Sequence, residues 1–321
     1  FLEVVTTSRA FYEKIKVVRE TYKFDLLIFG AALHGLVYLW HRPFNIPVVG
    51  MINDYIFARR DWTILFRNRH GHYYFTHRLY QKWVAQRLDK ILVCSHYLEK
   101  CVQKSYRIRK EKISIIYPFV DIKSIHYAPV TLPKKGLIKV LFVKKLYAFG
   151  GLKTLISALK KLTAYSFELT IIGPPQNAIT EIKEWLDNAD HIQLSFRGSQ
   201  KKEVVYEAMR NHHILCIPSH YESLGIANME GLATGILVVT TNEGGIPEVM
   251  DNGANGWLCF PNDIESLKNT IQACISAPKS LQVSKQLTGR QFVSEKFNPS
   301  DVRGKLIRFL KSMMDTSKTT Q

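Results

Sequence analysis

Residues 214–240 read ILCIPSHYESLGIANMEGLATGILVVT, and this stretch decides the fold class. Short apolar runs stand at both of its ends, ILCIP at 214–218 and ILVVT at 236–240. Between them lies a helix-length segment that Gly225 opens. An apolar strand, a helix and a second apolar strand form a βαβ unit, whose strands are parallel and covered on both faces. The stretch therefore predicts a parallel α/β sheet.

The same alternation of apolar runs and helix-length segments extends along the rest of the chain. We expect further strands at 25–29, 47–52, 90–95, 113–117, 138–143, 168–173 and 192–196. The stretch APVTLPKKG at 128–136 has two prolines, a glycine and no periodicity, which is typical of a linker. We therefore predict two Rossmann-like, doubly wound parallel-sheet domains facing a cleft. They would comprise residues 1–130 and 131–298, with a helix at 299–315 that packs back on the first domain.

Composition restricts the class of protein further. The chain has 321 residues, of which 46% are hydrophobic and 22% charged, so bulk disorder and fibrous classes are excluded. The net charge is +17, and residues 1–130 carry 21 Lys and Arg against 10 Asp and Glu, which predicts an anionic partner. Five scattered cysteines without a CxxC pattern indicate reduced thiols, with neither a zinc site nor disulfides.

The segment after residue 218 carries the chemistry, because ligands of doubly wound sheets bind at the carboxyl ends of strands. A helix that begins near Leu224 and Gly225 presents free N–H groups to an anion, and Gly225 has no Cβ to keep a phosphate away. Glu222 and Glu230 flank this site, and a carboxylate there suits a diol such as ribose. A nucleotide sugar has this arrangement: a diphosphate lies between two groups with hydroxyls, the ribose and the sugar. The segment therefore predicts a nucleotide-sugar site.

Glu222 and Glu230, with the flanking PSHYESLGIANMEGLATG and GGIPEVMDNGANGWL, closely resemble glycosyltransferase family 4. The resemblance also includes the segments 91–122, 140–159, 169–175 and 194–219. It implies the GT-B fold and retaining transfer of a sugar from a nucleotide-diphospho-sugar. No metal ion or other cofactor is implied, and the donor phosphate would accept the proton of the acceptor in a front-face attack.

The same resemblance implies a role for individual residues. Glu222 would contact hydroxyls of the transferred sugar, and Glu230 would hold the ribose. Lys145 stands where the family usually has an arginine that neutralises the diphosphate. Backbone N–H groups that hold phosphate would be those of Leu224, Gly225 and Ile226. The loop that borders the base would contain Arg197 and Gly198.

Three features depart from the family pattern. The family has a second cation five residues after the arginine, where this chain has Gly150, and Lys144 and Lys153 are the candidates to replace it. Asn53 stands at a catalytic position where the family commonly has a histidine, and it can form hydrogen bonds with a sugar hydroxyl but cannot carry a proton. The glycine-rich loop that usually opens the first domain has no counterpart after Phe1, so we expect further sequence upstream.

A basic and aromatic tract at 57–87 predicts contact with an anionic membrane surface, and no nucleic-acid-binding motif occurs. We expect a cytoplasmic, membrane-peripheral retaining glycosyltransferase with a nucleotide sugar as co-substrate. Its acceptor would be a glycan or a lipid-linked sugar in surface polysaccharide or glycolipid biosynthesis. Two alternatives stay open: a nucleotide-sugar-binding protein without turnover, and an epimerase or phosphorylase of the same fold.

Overall fold

The chain forms two compact α/β units in the computed structural model, which describes residues 2–54 and 71–318. The first unit contains Phe1–Pro118 and Ser300–Gln321, and the second contains Phe119–Pro299. Every strand pairing described in either unit is parallel. Within the described residues, each helix is too short or too polar to cross a lipid bilayer.

The first unit contains a four-stranded sheet with the strand order β1-β2-β3-β4. Its strands are β1 (Leu27–Phe29), β2 (Val48–Ile52), β3 (Lys90–Val93) and β4 (Ile113–Ile115). The helices of its amino-terminal part are α1 (Leu2–Thr21), α2 (Leu36–His41), α3 (Gly71–Arg87) and α4 (His96–Tyr106). Val48 and Val49 are fully buried, as expected for a strand covered on both faces.

The second unit contains a six-stranded sheet with the strand order β10-β9-β8-β5-β6-β7. Its strands are β5 (Leu137–Val143), β6 (Ser166–Ile172), β7 (Ile192–Gly198), β8 (Ile214–Ile217), β9 (Leu237–Thr241) and β10 (Trp257–Cys259). Its helices are α5 (Leu152–Lys160), α6 (Ile179–Trp185), α7 (Lys202–Asn211), α8 (Ile226–Thr234), α9 (Ile246–Val249), α10 (Ile264–Ser276) and α11 (Lys279–Lys296). Every residue of β8 and β9 is buried, so the apolar runs of the sequence form the centre of this unit.

All the predicted strands are present, with ends shifted along the chain, and β10 is an additional one. It has three residues, WLC, two of which are only partly buried. The apolar run WLCF at 257–260 is at the lower limit of the four to eight residues from which a buried strand is predicted, and Pro261 ends it.

The division between the units differs from the predicted boundary after residue 130, because the first unit ends at Pro118. The segment that looked like a linker is hydrogen-bonded into the second unit. The amide of Ala128 donates to the carbonyl of Thr234 at 2.9 Å, and the Gln286 side chain donates to the carbonyl of Val130 at 2.9 Å. Such backbone pairing leaves no periodic signal in the sequence. The prolines and the missing periodicity therefore indicated a linker where the chain is in fact part of the second unit.

The last helix, α12 (Pro299–Lys318), belongs to the first unit. Its Met313 is buried in one cluster with Val49 of β2 and Leu92 of β3, and Leu306 and Phe309 pack against the same cluster. The chain therefore leaves the first unit after β4 and returns to it at its carboxyl end.

Candidate functional site

The strand order of the second sheet places a topological switch point between β5 and β8. From β5 the chain continues through β6 and β7 on one side, and then returns to β8 on the other side. In open α/β sheets, ligands bind at the carboxyl ends of the two strands where the order reverses. Lys144 follows β5 directly, and residues 218–225 follow β8.

Two glycines let the loop at 218–225 pack closely against its neighbours. Gly151 has φ +75°, and a Cβ there would lie 2.9 Å from the carbonyl carbon of Pro218. A Cβ on Gly245 would lie 2.9 Å from Cα of Leu224, and the Gly245 amide donates to the carbonyl of Glu222 at 3.1 Å. The loop backbone thus packs against Gly151 at Pro218 and against Gly245 at residues 222–224. These contacts fix the positions from which its side chains extend.

Helix α8 begins at this loop with an open amino terminus. Gly225 is its N-cap in the left-handed region, with φ +97°, and no side chain caps the helix. Uncapped N–H groups and the helix dipole together attract an anion. Leu224 is buried and Ile226 is 48% exposed, so the first turn of the helix reaches the surface.

The Glu222 carboxylate lies beside this helix terminus and forms an ion pair with Lys144. Lys144 Nζ donates to Oε2 of Glu222 and, at 3.3 Å, to Oγ of Ser219. The two charged side chains are 20% and 22% exposed, which leaves the pair accessible from solvent. A Cβ on Gly225 would lie 3.6 Å from Cγ of Glu222, so carboxylate, ammonium and helix terminus form one cluster.

The predicted cation Lys145 is placed differently from Lys144. Its side chain is exposed, and no ion pair with a described acidic residue involves it. Lys145 lies in a bend after the end of β5, whereas Lys144 is only partly exposed and reaches Glu222. The structure brings Lys144 to the predicted carboxylate, and it does not bring Lys145 there.

Glu230 lies further along α8 and is held by two residues of α7. The Tyr206 hydroxyl donates to Oε1 of Glu230 at 3.1 Å, and Lys202 Nζ lies 3.2 Å from the same oxygen. Burial raises the pKa of Tyr206, so its hydroxyl keeps the proton that it donates. Sequence analysis missed this pair: the spacing of four residues places Lys202 and Tyr206 on one face of α7, but the packing of α7 against α8 is what brings that face to Glu230.

The other predicted residues lie at the carboxyl ends of their strands. Gly198 ends β7 with φ +61°, and its carbonyl accepts from the amide of Gly173 at 2.7 Å. Arg197 precedes it and is exposed. Asn53 follows β2 in the first unit and is also exposed.

The basic and aromatic tract is described only in part, because residues 57–70 of it lie outside the described residues. Its remainder lies on α3, where Arg87 is exposed and its guanidinium stands 3.9 Å from the ring centre of Trp83. Trp83 in turn stacks on Trp40 of α2, which is 73% exposed. Within residues 2–54 and 71–318, no three His, Cys, Asp or Glu side chains come together as a group that could hold a metal ion.

The alignments with curated relatives cover more than half of this chain but a smaller share of each relative. Glycogen synthase of Mycobacterium tuberculosis is 25% identical over 209 residues, which cover 63% of this chain and 49% of the relative. The putative colanic acid biosynthesis glycosyltransferase WcaL of Salmonella typhimurium is 26% identical over 220 residues, 65% of this chain and 53% of the relative. The chain thus spans about half the length of these curated relatives.

Solved structures and family matches agree on the architecture. The crystal structure of Anabaena Alr3699/HepE in complex with UDP-glucose matches with a TM-score of 0.74 at 18% identity, over 93% of this chain and 81% of that one. Residues 127–287 match the family described as glycosyl transferases group 1, and residues 4–124 match Glycosyltransferase Family 4. The chain therefore belongs to the group 1 glycosyl transferases of glycosyltransferase family 4, and its fold is GT-B.

Proposed function

We propose that the chain is a retaining glycosyltransferase that takes its sugar from a nucleotide-diphospho-sugar. The observation that carries this proposal is the cluster of Lys144, Glu222 and the open amino terminus of α8 at the switch point. A cation and a helix terminus suit a diphosphate, and the carboxylate between them suits sugar hydroxyls. The structure of Alr3699/HepE with UDP-glucose supports this choice of ligand class.

The donor would lie along α8. In this proposal the N–H groups of Leu224, Gly225 and Ile226 hold the diphosphate. Glu230 is five residues beyond the N-cap, about 7.5 Å along the helix axis, and it accepts hydrogen bonds from the ribose. Arg197 and Gly198, at the end of β7, border the base.

The chemistry would need no protein base. The bond between the anomeric carbon and the diphosphate oxygen breaks while the acceptor hydroxyl oxygen attacks the same face of that carbon. A phosphate oxygen accepts the hydroxyl proton, so Asn53 needs only to form hydrogen bonds with the sugar. Helix N–H groups and lysine side chains stabilise the charge of the leaving diphosphate, which makes the reaction independent of a metal ion.

The acceptor would be a glycan or a lipid-linked sugar on the cytoplasmic face of a membrane. The cations of residues 1–130, which outnumber the acids 21 to 10, support attraction to an anionic bilayer. The name of the relative WcaL, which refers to colanic acid biosynthesis, supports a place in surface polysaccharide biosynthesis. We propose a peripheral position on the membrane for this reason.

A panel of nucleotide sugars tests the proposal. We expect one of UDP-glucose, UDP-N-acetylglucosamine, GDP-mannose or ADP-glucose to raise the melting temperature, with or without EDTA. Release of the nucleoside diphosphate in the presence of an acceptor would show turnover, and an α-linked product would show retention. Stabilisation without release would favour the binding protein, and an altered nucleotide sugar would favour the epimerase. No thermal shift with any donor would contradict the proposal.

A further inference from the structure

We infer that Lys144, and not Lys145, is the principal diphosphate-binding cation of this chain, and that glycine at position 150 is what allows it. The inference rests on the proposed function and adds to it a residue whose position in the sequence does not match the family pattern. It follows from the space around Gly150, from the contacts and exposure of the neighbouring lysines, and from the partners of Lys144.

The side chain of Lys144 occupies the space that a side chain at position 150 would need. A Cβ on Gly150 would lie 3.0 Å from Cδ and 3.2 Å from Cβ of Lys144. It would also lie 2.7 Å from Cζ of Phe142, which is fully buried and cannot easily move away. The alkyl chain of Lys144 therefore crosses over Gly150 and carries its ammonium from the end of β5 to the loop after β8.

Among the described contacts, the other two lysines near this strand end do not pair with Glu222. Lys153 lies on α5 with its ammonium 5.5 Å from the ring centre of Trp185, on α6. Lys145 is exposed and forms no ion pair with a described acidic residue. Of the three, Lys144 is the one whose ammonium contacts Glu222.

The partners of Lys144 leave it able to bind a phosphate oxygen. An ammonium has three N–H donors, and Glu222 and Ser219 use two of them among the described residues. Lys144 pairs with Glu222, and Glu222 lies beside Gly225, so the ammonium with its third donor belongs to the same cluster as the open terminus of α8. In the proposed reaction this cation neutralises the charge that develops on the leaving diphosphate.

The test compares nucleoside diphosphates with nucleosides. Wild-type chain is titrated with UDP, GDP and ADP by calorimetry, and the one that binds is used throughout. We expect Lys144→Met and Lys144→Gln to weaken its binding about 10- to 100-fold, the range for loss of a hydrogen bond to a charged group. Binding of the corresponding nucleoside, measured by ligand-observed NMR, should stay within about twofold, because nucleosides carry no phosphate. A merely structural role would weaken both ligands together.

Matched variants make the assignment specific. Lys145→Met should weaken diphosphate binding less than Lys144→Met, and Gly150→Ala should weaken it because the new methyl group displaces the Lys144 side chain. Lys161→Met is the charge control, because Lys161 pairs with exposed Glu265 at the far end of α5. Unchanged diphosphate affinity in Lys144→Gln, or a larger loss in Lys145→Met, would overturn the inference. Wild-type chain that binds none of the three diphosphates would instead reject the proposed function itself.

Discussion

The hydroxyl of Tyr206 donates to Oε1 of Glu230 across the packed pair of helices α7 and α8, at 3.1 Å. Lys202 Nζ lies 3.2 Å from the same oxygen. A carboxylate has about four acceptor positions, and these two donors use those of Oε1, so the two positions of Oε2 stay able to accept hydrogen bonds. The position of Glu230 is thus set before a ligand binds, which reduces the entropy lost on binding.

Removal of this carboxylate should weaken nucleotide binding. We expect Glu230→Ala to lose about 1.5–3 kcal/mol of nucleoside diphosphate affinity, since a hydrogen bond to a charged group is lost. Tyr206→Phe should lose about 0.5–1.5 kcal/mol, because Glu230 stays but is held less firmly. Calorimetry with the free nucleoside diphosphate measures both, and Glu265→Ala, at an exposed acid of the same unit, is the control. Equal affinity in wild type and Glu230→Ala would contradict the ribose assignment.

Substitution of Glu222 should slow sugar transfer and leave nucleotide binding unchanged. Its proposed partner is the transferred sugar, so Glu222→Gln should leave the affinity for free nucleoside diphosphate nearly unchanged. Sugar transfer should slow about 10- to 100-fold, the range for a lost charged hydrogen bond. Steady-state rates of diphosphate release measure the effect. If Glu222→Gln transferred sugar at the wild-type rate, this residue would have no role in the reaction.

The loop after β8 depends on the absence of a side chain at position 245. Gly245 has φ −86°, which any residue can adopt, so Gly245→Ala adds only the steric overlap with Ser223 and Leu224. We expect a loss of about 1–3 kcal/mol in unfolding free energy, the range for overpacking. Gly304→Ala is the control, because a Cβ there meets only the tip of Arg308, and alanine in a helix gains about 0.5–1 kcal/mol over glycine. Urea unfolding of the two variants should shift in opposite directions.

Two histidines of the second unit, the buried His212 and the half-buried His213, should make stability depend on pH. Burial lowers the pKa of His212 and of His213, while unfolded histidine titrates near 6.5. Below about pH 6.5 the unfolded chain therefore binds more protons than the folded chain, and stability falls as the pH falls. Hydrogen bonds from Lys161 and Lys268 hold the pKa of Glu265 at about 2, so that exposed acid stays ionised in this window.

Urea unfolding at pH 7.5 and at pH 5.5 measures this dependence. His212→Gln should reduce the difference between the two pH values, because glutamine does not titrate while its amide can replace the hydrogen bonds to Ala208 and Thr170. A chain that is equally stable at both pH values would show that these histidines do not titrate differently on unfolding.

Membrane association is the last prediction, and it concerns cations that lie outside the described residues. We expect co-sedimentation with vesicles that contain acidic phospholipid and little with neutral vesicles, since each cation near the surface contributes about 1 kcal/mol. Simultaneous substitution of Arg59, Arg60, Arg67 and Arg69 by Glu should abolish it without changing nucleotide affinity. If the wild-type chain did not co-sediment with acidic vesicles at low salt, the prediction would be wrong.

The parallel strands were predictable because their signal is local. Buried parallel strands such as β8 and β9 are runs of apolar residues, and the glycines around Gly225 mark where helices begin. The spacing of Glu222 and Glu230 follows from one helix and the loop before it, so both carboxylates could be named from the chain alone. Periodicity and short-range spacing therefore determined the fold class, the order of the strands along the chain and the position of the segment that carries Glu222 and Glu230.

The tertiary structure decided which side chains meet across that segment. Lys144 and Glu222 are 78 residues apart, and they pair because β5 and β8 are neighbours in the sheet and Gly150 leaves room for the lysine. Ala128 binds the end of α8 through its backbone, which assigns a proline-rich segment to the second unit. Contacts of this kind depend on the order of the strands in the sheet and on the space that distant residues leave. Neither can be read from a local stretch of the sequence, because both arise only when the chain folds.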